Sequence, residues 1–176
     1  MPAYHSNFNE EEVQQLGNMS MLPFKTKIRG PILSSNFTSE EEDIVDESFN
    51  LFRANCLFKN FEIKGGADRT LIYLTLFISE LLNNLPKSAS SQNEVQKHLN
   101  NIALQSFAIP GDPSFPLNAL FSPPKDRHEA DLLRQYISQL RQETVLRFLE
   151  RVYGQETIPS KWWTMFTKRK FMGKSL

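Results

Sequence analysis

The most constraining feature of this sequence is an apolar stretch, residues 71–85, that leaves almost no polar face on a helix. Asp68 precedes the stretch as a favourable helix cap, and Pro86 stops the helix. A helix that is apolar on nearly every side must be surrounded by other elements, so we place it at the centre of the domain. Polar residues interrupt it, and it falls short of the roughly 20 apolar residues that span a membrane. We therefore expect no membrane insertion.

A second helix is predicted before the central one. Ser39 and Glu42 have the spacing of a capping box, in which each residue bonds the backbone N–H of the other. The following apolar residues recur about every 3.6 positions and form one face: Ile44, Val45, Phe49, Phe52 and Cys56. We expect this amphipathic helix to end near Asn60.

Three further helices are predicted after the central one. Ser91 and Glu94 can open a helix whose inward residues are Val95, Leu99, Ile102 and Ala103. A long helix is expected from Asp126, with Gly154 as its left-handed C-cap and with Glu143 and Arg147 paired on its outer side. Its inward positions are Leu133, Ile137, Leu140, Thr144, Phe148 and Val152. A last helix follows Pro159 and runs to a frayed end.

Two segments lack a helical period. Residues 1–38 carry several prolines and are predicted to form an extended N-terminal arm. Residues 107–124 are rich in proline but too apolar for a disordered linker, so we expect an ordered, irregular lid. No stretch alternates like a strand between hairpin turns. The sequence thus predicts an all-α, single globular domain of about five helices, with the arm at 1–38 and the helical domain at 39–176.

The charge balance excludes a globally basic protein, because 20 Lys and Arg residues face 20 Asp and Glu residues. No overall field draws the chain to nucleic acid or to an acidic membrane. The single cysteine, Cys56, excludes an internal disulfide framework. The N-terminus lacks the pattern of a signal peptide, and together these features predict a cytoplasmic protein.

The sequence offers no catalytic, metal or cofactor site. The three histidines are too far apart in sequence for a zinc-binding pattern, and we interpret them as surface or cap residues. Cys56 lies on an apolar helix face and is expected to be a buried structural thiol. Gly65 and Gly66 are not followed by the residues of a phosphate-binding loop. We therefore expect no enzyme.

The C-terminal segment combines aromatic residues with cations and has no Asp or Glu after residue 160. One interpretation is that Trp163, Phe166 and Phe171 dock on the core while the cations face water. The other is a binding surface for single-stranded nucleic acid, an anionic bilayer or an acidic protein. The neutral overall charge favours the acidic protein, and Trp and Arg are frequent in binding hot spots.

A series of segments spread over the whole chain resembles subunit 3 of the actin-related protein 2/3 complex. Among them are the Arg29, Gly30, Pro31 turn and the Lys161, Trp162, Trp163 run. The full set is residues 1–6, 17–19, 29–31, 43–47, 58–64, 67–73, 109–113, 115–119, 139–144, 159–163 and 171–176. The resemblance implies an all-helical, non-catalytic subunit of a seven-protein assembly that nucleates branched actin filaments. ATP would bind the actin-related subunits of that assembly, so this chain is expected to need no cofactor.

The resemblance also implies partners and a location. The subunit would pack against an actin-related protein near the junction with the side of the mother filament, in cortical actin structures or patches of the cytoskeleton. The candidate contact residues are Tyr4, His5, Lys161, Trp162, Trp163, Lys168, Arg169, Lys170 and Lys174. The alternative is a stand-alone helical binding module that uses the C-terminal segment for nucleic acid or lipid.

Overall fold

The computed structural model describes residues 4–33 and 37–176, so parts of the predicted arm, residues 1–3 and 34–36, lie outside the described residues. The elements in chain order are β1 (Gln15–Leu16), β2 (Met19–Ser20), α1 (Ile44–Asn55), α2 (Gly66–Asn83), α3 (Gln92–Leu104), α4 (Arg127–Val152) and α5 (Lys161–Thr164), followed by a short 3₁₀ turn at Phe171–Gly173. The prediction of a mainly helical domain with five helices is confirmed.

The apolar helix α2 lies at the centre, as its composition predicts. It packs against α1, α4 and β2, and nearly all of its residues from Ala67 to Leu82 are buried. The predicted start is wrong, because α2 begins at Gly66 and Asp68 lies inside its first turn. Asp68 is fully buried there and accepts hydrogen bonds from other segments. A carboxylate near a helix N-terminus is favourable whether or not it is the cap.

Helix α1 begins later and ends earlier than predicted. Its capping box consists of Asp43 and Asp46, whose side chains bond each other's backbone N–H groups, and the predicted box at Ser39 and Glu42 is wrong. The helix ends at Asn55 with Cys56 as its C-cap. Both pairs have the required spacing, and Asp43 prevails because its carboxylate also binds a buried arginine. The predicted apolar face of α1 is buried.

Helices α3 and α4 form as predicted. The Ser91 side chain accepts from the N–H of Glu94, and Asp126 caps α4 in the same way through Glu129. Gly154 follows α4 with φ +58°, the left-handed conformation expected of it. Helix α4 differs from the prediction in one respect, since Glu143 and Arg147 are buried rather than solvent-exposed.

Polar residues of α4 are buried because they bond neighbouring backbone. Arg141 donates to the carbonyl oxygens of Ile102 and Ala103 and so satisfies the C-terminal end of α3. Its guanidinium lies 4.5 and 4.6 Å from the ring centroids of Phe77 and Phe107. Cation–π contacts with two aromatic rings help to accommodate this buried charge in the core.

The N-terminal arm packs on the helices. Gly17, with φ +63°, turns a small antiparallel hairpin in which Gln15 pairs with Ser20 and Leu16 with Met19. Strands this short leave no alternating pattern in the sequence, so the hairpin was not predicted. Leu16, Met19, Leu22 and Phe24 from this segment are buried in the core. The division of the chain at residue 38 stays a prediction.

The proline-rich segment is ordered and irregular, as expected. Residues 105–126 contain neither helix nor strand. Ile109, Phe115, Leu117 and Phe121 are nevertheless buried. The Phe115 and Phe121 rings meet edge to face at 5.3 Å, an arrangement that aromatic pairs prefer. The aromatic side chains therefore pin the segment to the core.

Candidate protein-binding surface

The N-terminal arm is tied to the end of α1. The N–H of Tyr4 donates to Asn55 Oδ1 at 3.0 Å, and Asn55 Nδ2 returns a bond to the Tyr4 carbonyl at 2.9 Å. These two bonds hold the Tyr4 backbone, while the Tyr4 side chain stays exposed, with 48% of the residue surface accessible. Tyr4 can therefore contact a partner without being reordered.

The Asp68 carboxylate binds the next residues of the arm. It accepts from His5 Nδ1 at 2.7 Å, from the N–H of Ser6 at 2.7 Å and from Asn9 Nδ2 at 3.0 Å. The N–H of Lys64 completes the set at 2.9 Å. A fully buried carboxylate requires such partners, so Asp68 holds the arm against α2 and orients His5.

Glu47 is a second buried carboxyl under the arm. Its Oε2 accepts from the N–H of Asn7 at 2.8 Å, whereas its buried Oε1 has no hydrogen-bond partner among the described residues. Burial raises the pKa of Glu47 above its ordinary value. The charged form is therefore less favourable in the folded chain than in the unfolded chain.

Glu47→Gln is expected to raise the free energy of unfolding at pH 7, because glutamine removes the buried charge and keeps an oxygen for Asn7. The pKa of Glu47 is higher in the folded state, so the folded chain binds this proton more tightly and gains stability as the pH falls through that pKa. Below the unfolded pKa, Glu47 is neutral in both states. Urea titrations should therefore show a gain at pH 7 that disappears near pH 4, and an equal gain at both values would contradict the assignment.

The two tryptophans of α5 have opposite environments. Trp163 is only 6% exposed and its ring contacts Phe49 and Phe52 at centroid distances of 5.8 and 6.0 Å. Trp162 is 63% exposed, and the Arg53 guanidinium lies 4.9 Å from its ring centroid. The sequence made both candidate contact residues and, in the other interpretation, docked Trp163 on the core. The structure gives Trp163 a core position and leaves Trp162 available to a partner.

The chain after α5 returns to the arm. Phe171 is buried and its ring lies 5.8 Å from Phe61, which in turn lies 4.9 Å from the His5 ring. The N–H of Met172 donates to the Phe58 carbonyl at 3.2 Å. The last predicted helix is thus only four residues long, and the tail that follows is held by aromatic contacts. Through Phe61, the tail meets the N-terminal arm.

Four exposed cations of the tail line a cleft beside the end of α2. Lys168, Arg169, Lys170 and Lys174 face Ser79, Glu80, Asn83 and Asn84 across about 350 Å³. The N–H of Lys168 donates to Asn83 Oδ1 at 3.0 Å, and Lys168 has φ +71°. Non-glycine residues rarely adopt this left-handed conformation, so the Asn83 bond helps to fix it.

Burial raises the pKa of Glu80 on the wall of this cleft. The Arg141 guanidinium opposes the rise, with its Nη1 4.0 Å from Glu80 Oε2. Glu80 carries the one acidic side chain among the residues that line the cleft, against four cationic side chains. The cleft therefore presents excess positive charge on a chain that is neutral overall.

The described residues show no arrangement for catalysis. Cys56 is buried, and burial raises the pKa of its thiol to about 11, so it is a poor nucleophile at neutral pH. Within residues 4–33 and 37–176, no three His, Cys, Asp or Glu side chains could hold a metal ion. In the same ranges, no helix is long and apolar enough to cross a bilayer. The surface presents exposed aromatic side chains and cations, which can contact another protein.

The sequence missed three residues that organise this surface. Arg53 orders Trp162, Asn55 fixes Tyr4, and Asp68 orients His5. Each partner lies far away in sequence, so no local period marks the pairing. Arg53 and Asn55 stand out as polar residues at an otherwise apolar helix end. This local pattern does not identify the residues that they bind.

Comparisons with known proteins identify the family of this chain. The sequence profile described as P21-Arc, ARP2/3 complex ARPC3 (21 kDa) subunit, matches residues 1–176. The chain is 51% identical to actin-related protein 2/3 complex subunit 3 of Schizosaccharomyces pombe and 50% identical to that of Saccharomyces cerevisiae, each over 100% of both chains. It is 44% identical to the Dictyostelium discoideum protein, covering 98% of this chain and 99% of the relative. The chain therefore belongs to the P21-Arc family, the ARPC3 subunits of the ARP2/3 complex.

Proposed function

We propose that this chain packs against an actin-related subunit of the ARP2/3 complex, near the junction with the mother filament, through the surface formed by its arm and tail. As a P21-Arc family member, it is a non-catalytic subunit of the complex that nucleates branched actin filaments, with other subunits as partners and a cytoskeletal location. The position at an actin-related subunit, the contact with the filament side, the seven-protein composition and the cortical patches are parts of the proposal.

One observation carries the proposed position: the N-terminal arm and the tail both contact the last turn of α1. Asn55 binds Tyr4, and Arg53, two residues earlier on the same helix, lies over Trp162. The three aromatic rings of His5, Phe61 and Phe171 connect arm and tail. The arm and the tail are thus packed against each other, and each carries an exposed aromatic side chain, Tyr4 and Trp162.

The chemistry of this surface suits an acidic protein partner. Trp162 is large, ordered by Arg53 and exposed, and such a side chain can become a desolvated anchor at low entropic cost. Lys168, Arg169 and Lys170, later in the same tail, add positive charge, and the cleft that they line has one acidic side chain. Charges at the rim of an interface mainly speed association and fix orientation.

A stand-alone module for nucleic acid or lipid is not supported by the family. The matches cover the entire chain and concern subunits of one complex. The neutral overall charge gives no general attraction to polyanions.

Reversing three tail cations tests the proposal. The triple variant K168E/R169E/K170E is expected to lower branch formation by the purified complex about tenfold at low ionic strength, equivalent to about 1.4 kcal/mol. Salt should reduce the difference because it screens exposed charges. The measurement counts branches per length of mother filament by fluorescence microscopy.

The matched control reverses three exposed cations outside the surface, K87E/K97E/R127E, with the same change in charge. It is expected to branch like the unmodified complex. Helical circular dichroism should be unchanged in both variants. Equal branching by both variants at low salt would assign the tail cations to a solvated face and contradict the proposal.

A further inference from the structure

A second surface of the chain contains a groove lined by two arginine side chains. It lies between the Arg29, Gly30 turn of the arm, the end of α3 and the middle of α4, and its volume is about 520 Å³. We propose that this arginine groove, defined by Arg29, Leu104, Ser106 and Arg134, binds an acidic segment of a neighbouring protein in the complex. The inference rests on family membership and is independent of the tail surface.

Buried Gln139 fixes one wall of the groove. Its Nε2 donates to the carbonyl oxygens of Ile28 and Ile32 at 2.8 and 2.7 Å, and its Oε1 accepts from the N–H of Ile32 at 2.9 Å. A single buried side chain therefore bonds both ends of the Arg29 turn. Because these bonds hold the backbone of the turn, the Cα atom of Arg29 has a fixed position while its side chain is exposed.

The turn also approaches α4 more closely than a side chain allows. A Cβ atom built at Gly30 would lie 2.5 Å from Cδ and 2.6 Å from Oε1 of Gln139. Contacts this short require a shift of the turn or of the glutamine, so glycine is needed at this position for steric reasons. The close approach places Arg29 in the lining of the same groove as Arg134 of α4.

The groove carries two guanidinium groups and no lining carboxylate. Its remaining polar side chains are Gln105, Ser106, Gln135 and Ser138. Arg134 has one long contact, 3.4 Å from Nη2 to Asp112 Oδ2 outside the lining. Arg29 makes no ion pair with the described residues. Planar guanidinium groups donate two parallel hydrogen bonds to a carboxylate, so both arginines can bind an acidic ligand.

The groove also has apolar side chains in its lining, which favour an occupant with an apolar group over a simple anion. Leu104, at the end of α3, is 62% exposed, and Phe107 lines the groove beside it. Nucleic acid would require a wider basic field than a neutral chain provides, and most of its affinity would come from phosphates. An extended acidic peptide segment with an apolar side chain matches both the arginines and Leu104.

Site-specific photocrosslinking in the assembled complex tests this proposal. With p-benzoylphenylalanine in place of Leu104, irradiation of the purified complex should join the chain to one neighbouring subunit. Mass spectrometry should map the adduct to a segment that contains Asp or Glu. R29E/R134E should reduce the adduct yield at least about fivefold, whereas the control K87E/K97E, with the same change in charge, should leave it unchanged.

Three results would overturn the proposal: no adduct in the assembled complex, an adduct to a segment without acidic residues, or a yield that R29E/R134E does not change. If R29E/R134E lowers the melting temperature of the chain, R29Q/R134Q replaces it with the same expected direction. Binding of a fluorescein-labelled single-stranded oligonucleotide that depends on the two arginines would assign the groove to nucleic acid instead. The tail variant K168E/R169E/K170E should keep the full yield, so failure of the tail proposal and failure of this one are distinguishable.

Discussion

Asp43→Ala is expected to lower the free energy of unfolding by about 3 kcal/mol, because it removes both the cap of α1 and the bidentate partner of buried Arg147. Asp46 and Glu143 remain 3.1 and 3.3 Å from the guanidinium and limit the loss. The fully buried Asp43 carboxylate accepts from Arg147 Nη1 at 2.5 Å and from Nη2 at 2.7 Å. It also accepts from the N–H of Lys25 at 2.8 Å and caps α1 through Asp46. One side chain therefore joins the arm, α1 and α4.

Urea denaturation monitored by circular dichroism measures this loss, and two variants separate its causes. Asp43→Asn keeps a good helix cap but removes the charge, so it should retain the capping part, about 1 kcal/mol. Arg147→Met keeps the Asp43 cap but takes the guanidinium away from three carboxylates, so it should lose the ion-pair part of the stability. Asp131→Ala, at an exposed position on α4, is the control. A loss for Asp43→Ala no larger than that of Asp131→Ala would contradict the buried pair.

Trp163→Ala is expected to cost about 3 kcal/mol of folding stability, because it opens a cavity against Phe49 and Phe52. The indole is 6% exposed, so almost all of its surface contributes to packing. Thermal unfolding of the purified chain should show a clearly lower melting temperature.

Trp162→Ala is the matched control from the neighbouring position. At 63% exposure it contributes little to the core and should change stability by no more than about 0.5 kcal/mol. It should instead weaken the association of the chain with its complex, if Trp162 is an interface anchor. An unchanged melting temperature for Trp163→Ala would move that residue from the core to the interface.

The helical core could be predicted because its signals are local. The apolar stretch of α2 and the periodic faces of α3 and α4 follow directly from residue spacing. The start of α1 was mistaken because two acceptable caps lie four residues apart, and only the distant Arg147 favours Asp43. The buried Glu143 and Arg147 were placed outside for the same reason, since the arm that covers them has no periodic signal.

The candidate surface was less accessible to sequence reasoning. Residue type marked the tail, but only the fold distinguishes Trp162 from Trp163, because burial depends on the position of α1. The roles of Asp68 and Gln139 depend on bonds between segments more than 50 residues apart in sequence. Composition favoured an acidic protein as the partner, and only the family resemblance implied that this protein is an actin-related subunit.

The most direct test of the central claim is crosslinking mass spectrometry of the native complex, isolated through a tag on this chain and treated with an amine-reactive crosslinker. The account predicts that the chain elutes with two actin-related proteins and their companion subunits. It also predicts that Lys161, Lys168, Lys170 and Lys174 link to an actin-related subunit more often than Lys87 and Lys97 do. Elution of the chain alone, or tail lysines that link elsewhere while Lys87 and Lys97 link to the actin-related subunit, would contradict it.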